Sequence, residues 1–398
     1  MTHALDGIRI LDFTRQLSGP LATATMSDFG AQVIKVEALP GGDGSRTTGA
    51  DYIEDESALY LAWNRGKRSF AVNLREPEGL ALVKQLADQA DVVIENYRPG
   101  VAERIGIGYE QLSATNPGLV YVSITAFGKG PLEQFAGTDP VVQAMSGVMS
   151  VTGEADRGPA LVGVPIADYS AALLGGQAIM LGLLARERTG RGQKIDVSML
   201  SGLIASLTTR IANHWATGED PQRHGSSHSV NVPYQAFKTS DGYAVAGVWG
   251  AKGWDNFCAA IERPEMIDDP RYATNVERVR NREEVTRLIE ERMVLRMTDE
   301  WEKIFHEHDV LFSPVLTFSQ TLAHPQVVGS GIIQEVEHKR LGPIKQVGSA
   351  IAMSDTPPEI QAPPPVLGEH TAQILCELGL DDDSVRELVS RGVVQLDD

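Results

Sequence analysis

The chain has 398 residues, a formal net charge of -18 and 22% charged residues. That acidic balance argues against nucleic acid, whose phosphates need Lys and Arg, but leaves room for a small anionic ligand that reads the local field. The length suggests two domains rather than one simple core. Two cysteines, Cys258 and Cys376, lie far apart and make neither a metal set nor a disulfide framework, as expected for a reducing cytoplasm. Neither a signal peptide nor an unbroken run of about 18 apolar residues is found, so no membrane span is expected.

In chain order, "IRILDF" (Ile8–Phe13) reads as a strand broken by "SGP", and "LATATMSDFGA" as a helix. "QVIKVE" (Gln32–Glu37), "SFAVNL" (Ser69–Leu74), "DVVIEN" (Asp91–Asn96) and "LVYVSITAFG" (Leu119–Gly128) read as further strands, with the helical "EPEGLALVKQLADQA" between "SFAVNL" and "DVVIEN". Strands alternating with helices predict a doubly wound parallel sheet, with ligands at the carboxyl ends of its strands. Helices are predicted over Tyr169–Arg188 and Met199–Thr217. "YQAFKTSDGYAVAGV" is a hairpin pattern around a Ser-Asp-Gly turn. Helical segments follow to Asp309, then the strand-like "IIQEVEH" and "IKQVGSAIAM", an extended strap "TPPEIQAPPPVLG" and two short helices. The predicted organisation is a large domain over 1–217, a linker over 218–233, a small α+β domain over 234–325, and a return to the large domain over 326–398.

Three features carry candidate chemistry. Asp168 is the single carboxylate in "GPALVGVPIADYSAALLGGQ". It reads either as a helix N-cap or as a nucleophile. Ala172, Gly175 and Gly176 share its helix face, and a cap needs no such cleared face. Asn96, Arg98 and Arg104 converge after a strand end, and with Arg75, Lys67 and Arg68 form a local basic rim suited to phosphate, or else plain surface charges. Asp139 precedes the helical "PVVQAMSGVMS", where a cap is the alternative reading. "PGGDGSR" follows the second strand, not the first, which speaks against a dinucleotide fingerprint and an NAD-dependent oxidoreductase. His214, His224, His228, His306 and His308 show no ligand spacing, so no metal is expected.

Several motifs in order resemble the class III coenzyme A transferases, the CaiB/BaiF family: "LDGIRILDFTRQLSGPLAT", "SDFGAQVIKVEALPGGDGSR", "NRGKRSFAVNL", "ADVVIENYRPGVAERIGIGYEQL", "NPGLVYVSITAFGKGP", "RTGRGQKIDVSML" and "PPPVLGEHTAQIL". The resemblance implies an interlocked homodimer, each subunit threading the other, with a large domain built from both chain ends. It implies that Asp168 is the nucleophile, that Asp139 lies near the reacting centre, and that Asp168's small-residue face leaves room for the acyl thioester and the partner chain. It places Leu17, Ser18, Val72, Asn73, Leu74, Arg75, Asn96, Tyr97, Arg98 and Arg104 at CoA-contacting positions, and Gln16, Thr138, Gly247, Trp249 and Gly250 on the substrate side. Trp249 reads equally as a packing residue at a hairpin edge.

The implied partners are an acyl-CoA and a carboxylic acid, with CoA as substrate and no permanently bound cofactor. Ala38, where formyl-CoA transferases carry arginine, and "AGVWGAKGW", where they carry a glycine run, argue against formate and oxalate. A racemase on the same fold would need a His-Asp pair, where this chain has Thr138 and Asp139. A subunit of a heteromeric transferase is a further alternative.

Overall fold

The computed structural model describes residues 3–250 and 252–397. The chain divides into two compact units. One comprises the chain up to Val148, Leu161–Ala212 and the stretch from Gly329 on; the other comprises Met149–Ala160 and Asn213–Val328.

The first unit is built on six parallel strands: β1 (Arg9–Asp12), β2 (Gln32–Ala38), β3 (Lys67–Val72), β4 (Val92–Glu95), β5 (Val120–Thr125) and β6 (Lys194–Ser198). Their order across the sheet is 3-2-1-4-5-6. The chain winds outward from β1 to β3, returns, and winds the other way from β4 to β6. The reversal opens a crevice above the carboxyl ends of β1 and β4, the usual ligand position in such sheets. A last strand, Val394–Gln395, pairs antiparallel with β3, so the sheet is mixed at that edge.

Buried on both faces, the strands read as apolar runs. On one face Leu11, Val93 and Tyr121 meet α2 (Pro77–Asp88) and the C-terminal helices Thr371–Glu377 and Asp382–Ser390. On the other, Ile10, Val92 and Val122 meet α1 (Ser18–Asp28) and the 24-residue α4 (Ile166–Thr189). Between α2 and α4 lies α3 (Asp139–Ser146). The proline-rich strap runs extended, with Glu359 N–H on the Asp28 carbonyl and the Ala362 carbonyl accepting from Gly66 N–H.

Three sequence expectations are corrected. Strand β3 starts at Lys67, two residues before the expected Ser69, and Lys67 is fully buried rather than part of a basic rim. Its ammonium meets Asp12 at 3.0 Å, which makes that burial tolerable. The predicted helix over Met199–Thr217 is two helices, Met199–Ser206 and Thr208–Thr217. The third concerns the small face of α4, which is filled by this chain itself. A Cβ at Gly175 would stand 3.1 Å from Ile124 and 3.3 Å from Ala22, and one at Gly176 3.3 Å from Met26. The small residues therefore let α4 lie close on α1 and on β5. In length and composition α4 also matches a membrane span. It escapes a search for an unbroken apolar run because Asp168, Ser170 and Gln177 interrupt it.

The second unit has a three-stranded antiparallel sheet, Tyr234–Lys238, Tyr243–Gly247 and Leu311–Pro314, the first two joined by the expected turn. Helices Gly253–Ala260, Arg282–Met293 and Thr298–Glu307 cover it around Phe257, Ile289, Trp301 and Phe305. The expected linker over 218–233 holds no helix or strand.

The packing of α4 is directly testable at Gly182, where a Cβ would stand 2.4 Å from Val120 Cγ1 and 2.9 Å from Ile195 Cδ1. Overpacking costs about 1–3 kcal/mol, offset by about 1 kcal/mol of better helix propensity. Gly182→Ala is therefore expected to lose up to about 2 kcal/mol in urea denaturation; a gain of about 1 kcal/mol, the full helix-propensity benefit with no packing cost, would refute the close approach.

Candidate active site

A cavity of about 800 Å³ opens in the crevice between β1 and β4. Its walls come from the loops after β1, β4 and β5, from the start of α3, and from the first turn of α4.

The loop after β1 is held from beneath by buried charge. Asp12 accepts hydrogen bonds from the Thr14 backbone N–H at 2.8 Å and from Thr23 Oγ1 at 2.6 Å, besides its ion pair with Lys67. Burial pushes the Asp12 carboxyl up, but the Lys67 and Lys35 ammoniums and the two threonine hydroxyls outweigh this and hold it at about 2. Lys35 pairs with Asp43 at 2.7 Å and donates to the Thr14 carbonyl at 3.0 Å. Asp43 in turn accepts the Gln16 N–H at 3.1 Å. Gln16 sits at φ +63°, a left-handed conformation that a non-glycine residue adopts only when its surroundings impose it.

The loop is held from the side by Asn96, which follows β4. Its side chain accepts the Arg15 N–H and donates to the Arg15 carbonyl, both at 2.8 Å. The Arg15 guanidinium lies over the Tyr97 ring, 4.9 Å from its centroid. Glu95 accepts the Tyr97 N–H at 2.7 Å and so sets the next residue of that loop.

Asp168 lies in the third position of α4, half-buried on the cavity wall. It is not the cap: Pro165 holds the N-cap position and no side chain caps that end from within the segment. Burial pushes the Asp168 carboxyl up, the Asp139 carboxylate adds to this, and a hydrogen bond from Ser18 opposes both, leaving it at about 6. Asp139 does not cap its own helix either. Its Oδ1 accepts the Ala167 N–H at 2.7 Å and its Oδ2 accepts from Gln143 Nε2 at 2.7 Å. Gln143 Oε1 then accepts the Val162 N–H at 3.0 Å. Asp139 and Gln143 thus clamp the turn that delivers Asp168.

Of the sequence candidates, the fold brings Gln16, Leu17, Ser18, Asn96, Tyr97, Arg98, Thr138, Asp139 and Asp168 together around this cavity. Val72, Asn73, Leu74, Arg75 and Arg104 stand outside its walls. Val72 is wholly buried in the sheet, while Asn73 to Arg75 continue from β3 at the same carboxyl edge. Arg104 is exposed on the short helix Val101–Ile105. Gly247, Trp249 and Gly250 belong to the second unit. There, a Cβ at Gly247 would meet the Tyr234 ring at 2.5 Å, and the Trp249 side chain is 68% exposed. Ala251 of the "AGVWGAKGW" loop lies outside the described residues. Sequence reasoning passed over Arg15, Trp63, Phe135 and Gln143. Arg15 adjoins a residue that was singled out, and Gln143 lies four residues after Asp139. Trp63 and Phe135 leave no local signal. Among the described residues, no group of three or more His, Cys, Asp or Glu could hold a metal ion.

Comparison with known proteins gives the class to which this chain belongs. Residues 5–371 match CoA-transferase family III, and the chain belongs to that family. It is thus a CoA-transferring enzyme by class. It is 41% identical over 392 residues to the human succinyl-CoA:glutarate CoA-transferase, covering 98% of this chain and 90% of that protein. It is 38% identical to the succinate–glutarate CoA-transferase of Agrobacterium fabrum, covering 94% and 95%. A solved CAIB/BAIF family protein from Brucella suis superposes with a TM-score of 0.85 at 36% identity, covering 95% of this chain and 100% of that one.

The raised Asp168 carboxyl has a consequence for stability. Its folded-state value of about 6 lies above the ordinary 3.8, so the folded protein binds the extra proton between those limits. The ionised group therefore costs stability above about pH 6, and the cost disappears below about pH 4. Two units are worth about 3 kcal/mol, which partial solvent access reduces to about 1 kcal/mol. Asp168→Asn is expected to raise the melting temperature at pH 8, with the gain gone at pH 4. A gain of equal size at both pH values would show that ionisation is not its source.

Proposed function

We propose that this enzyme moves CoA from a donor acyl-CoA to an acceptor carboxylate, with Asp168 as covalent nucleophile. The observation that carries the reading is the half-buried Asp168 carboxylate on the cavity wall, held by the Asp139–Ala167 hydrogen bond and raised towards neutrality. It remains largely ionised at neutral pH, yet it is more basic than an ordinary carboxylate.

Asp168 attacks the thioester carbonyl, the C–S bond breaks, and CoA leaves as thiolate from a mixed anhydride. The thiolate attacks the aspartyl carbonyl, which releases the donor acid and leaves an aspartyl-CoA thioester. The acceptor carboxylate attacks that thioester and expels the thiolate, forming a second anhydride. The thiolate then takes the acceptor acyl group, and Asp168 returns as carboxylate. The thioester's energy is kept throughout if water is excluded from the anhydrides. The names of the relatives make short dicarboxylic acids such as succinate and glutarate the first substrates to try.

The same reading takes CoA through Leu17, Ser18, Tyr97 and Arg98, and along the carboxyl edge past Asn73 to Arg75. Arg98 suits a phosphate, which guanidinium binds in forked geometry. Gly247, Trp249 and Gly250 remain the substrate-side candidates of the second unit. A homodimer is supported by α4, which exposes Leu173, Met180 and Leu184 along one stripe. The racemase alternative lacks its pair of bases. Thr138 is no base near neutral pH, and both Asp139 oxygens already accept hydrogen bonds.

Intact-mass analysis of the enzyme mixed with succinyl-CoA, without acceptor and then after borohydride, tests the mechanism. The expected result is a borohydride-sensitive CoA adduct on the peptide holding Asp168, absent from Asp168→Ala. Transfer retained by Asp168→Ala would refute the nucleophile.

A further inference from the structure

Asp139 and Gln143 lie four residues apart on one face of α3, and both are buried, at 7% and 1% exposure. Each makes contacts that reach beyond its own helix. The Val162 N–H can only donate, so the Gln143 oxygen must face it, at 3.0 Å. The Gln143 amide nitrogen is thereby turned to Asp139 Oδ2, at 2.7 Å. Asp139 Oδ1 accepts the Ala167 N–H, also at 2.7 Å. A continuous line of hydrogen bonds therefore runs from Val162 through Gln143 and Asp139 to Ala167. The segment between its ends, Leu161–Pro165, holds no helix or strand, and Leu161 and Val164 are exposed. Ala167 lies in the first turn of α4, where backbone N–H groups have no partner within the helix. Asp168 is the next residue.

We propose that Gln143 is a positioning residue for the nucleophile: as donor to Asp139 and acceptor from Val162, its carboxamide fixes both ends of the segment that leads into α4, and so the direction from which Asp168 meets the thioester. This rests on the assignment of Asp168 as nucleophile. Gln143 itself is not part of the cavity wall, so it acts through Asp139 and the backbone. A carboxamide suits the place because it offers a donor and an acceptor together without a charge. A carboxyl group of the same shape would serve only while it held a proton. Ionised, it would lose the donor and set a second carboxylate against Asp139, and such a pair shares one proton up to raised pH. The helices packed against α3 are α4 and Met199–Ser206. In its first two turns α4 carries Asp168 and Tyr169 as titratable groups, and Met199–Ser206 carries none. The other charged groups around the cavity are Arg15, Arg98 and Glu133.

The test follows the rate of borohydride-trappable adduct formation with succinyl-CoA against pH, in wild type, Gln143→Leu and Gln143→Glu, with the folded state checked by circular dichroism at each pH. Gln143→Leu removes both hydrogen bonds at similar volume. It is expected to slow adduct formation about tenfold at every pH above 7, as for a lost positioning contact, with KM for the acyl-CoA unchanged. Gln143→Glu is expected to recover most of that loss at pH 7, where the shared proton makes it a donor. It should fall to the rate of the leucine variant by about pH 9, as that proton leaves. The result is an alkaline limb that wild type lacks, which a change in stability alone would not produce. Should Gln143→Leu not fold, Gln143→Glu compared with itself at pH 7 and pH 9 makes the same test. An unchanged rate in Gln143→Leu, a raised KM with kcat intact, or a Gln143→Glu profile with no alkaline limb overturns the proposal. So does a limb that coincides with loss of the folded signal, which would leave Gln143 a purely structural residue. Absence of any Asp168 adduct in wild type is a different result: it removes the nucleophile assignment, and the role of Gln143 falls with it.

Discussion

The site depends on how near α4 comes to α1. Asp168 stands in the first turn of one helix and Ser18 opens the other, so the distance between the helices sets how the two walls of the cavity face each other. Gly175 and Gly176 set that distance, since a Cβ on either would crowd Ala22 or Met26 of α1, while Gly182 gives the same clearance to Val120 of β5. A glycine in a helix interior costs about 1 kcal/mol against alanine, and here the cost is repeated along one face. The return is a carboxylate, Asp168, placed by packed backbone rather than at the end of a flexible loop.

The second constraint is electrostatic and lies below the first. Lys67 and Lys35 are wholly buried, each against a carboxylate, in a sheet whose strands are mostly apolar. Such pairs add little net stability, but removing one partner would strand the other. What they provide is direction: through Thr14 and Asp43 they hold the loop after β1, including the strained Gln16, over the carboxyl ends of the strands. The loop arrives at the cavity already shaped, and binding need not spend free energy to order it.

The alternation of apolar runs was enough to read the parallel sheet and its ligand-bearing edge, because a strand buried on both faces has few other ways to look. Asp168 was legible for a different reason, being a lone charge in a small apolar stretch. The same stretch misled about its neighbours. Small residues signal close approach without saying what approaches, and the occupant was the chain's own α1. Lys67 read as rim because its partner, Asp12, is 55 residues away. A cap of its own helix stood as one reading of Asp139 because the amide it holds, Ala167, lies 28 residues on. Side-chain partners at such separations leave no periodic trace, so Arg15, Gln143, Trp63 and Phe135 needed the fold to become visible.

The short strand Val394–Gln395 carries a consequence for biosynthesis. It pairs with Ala71 and Val72 at the end of β3, a strand laid down more than 300 residues earlier, and the whole second unit is translated in between. During synthesis β3 therefore waits with a row of unpaired backbone groups, the feature that invites strand addition from other chains. The second unit, drawn chiefly from one continuous stretch, is free to fold on the ribosome first. The first unit closes that edge only when Val394–Gln395 has emerged, so nascent chains crowded together are exposed to pairing at β3 for most of their synthesis.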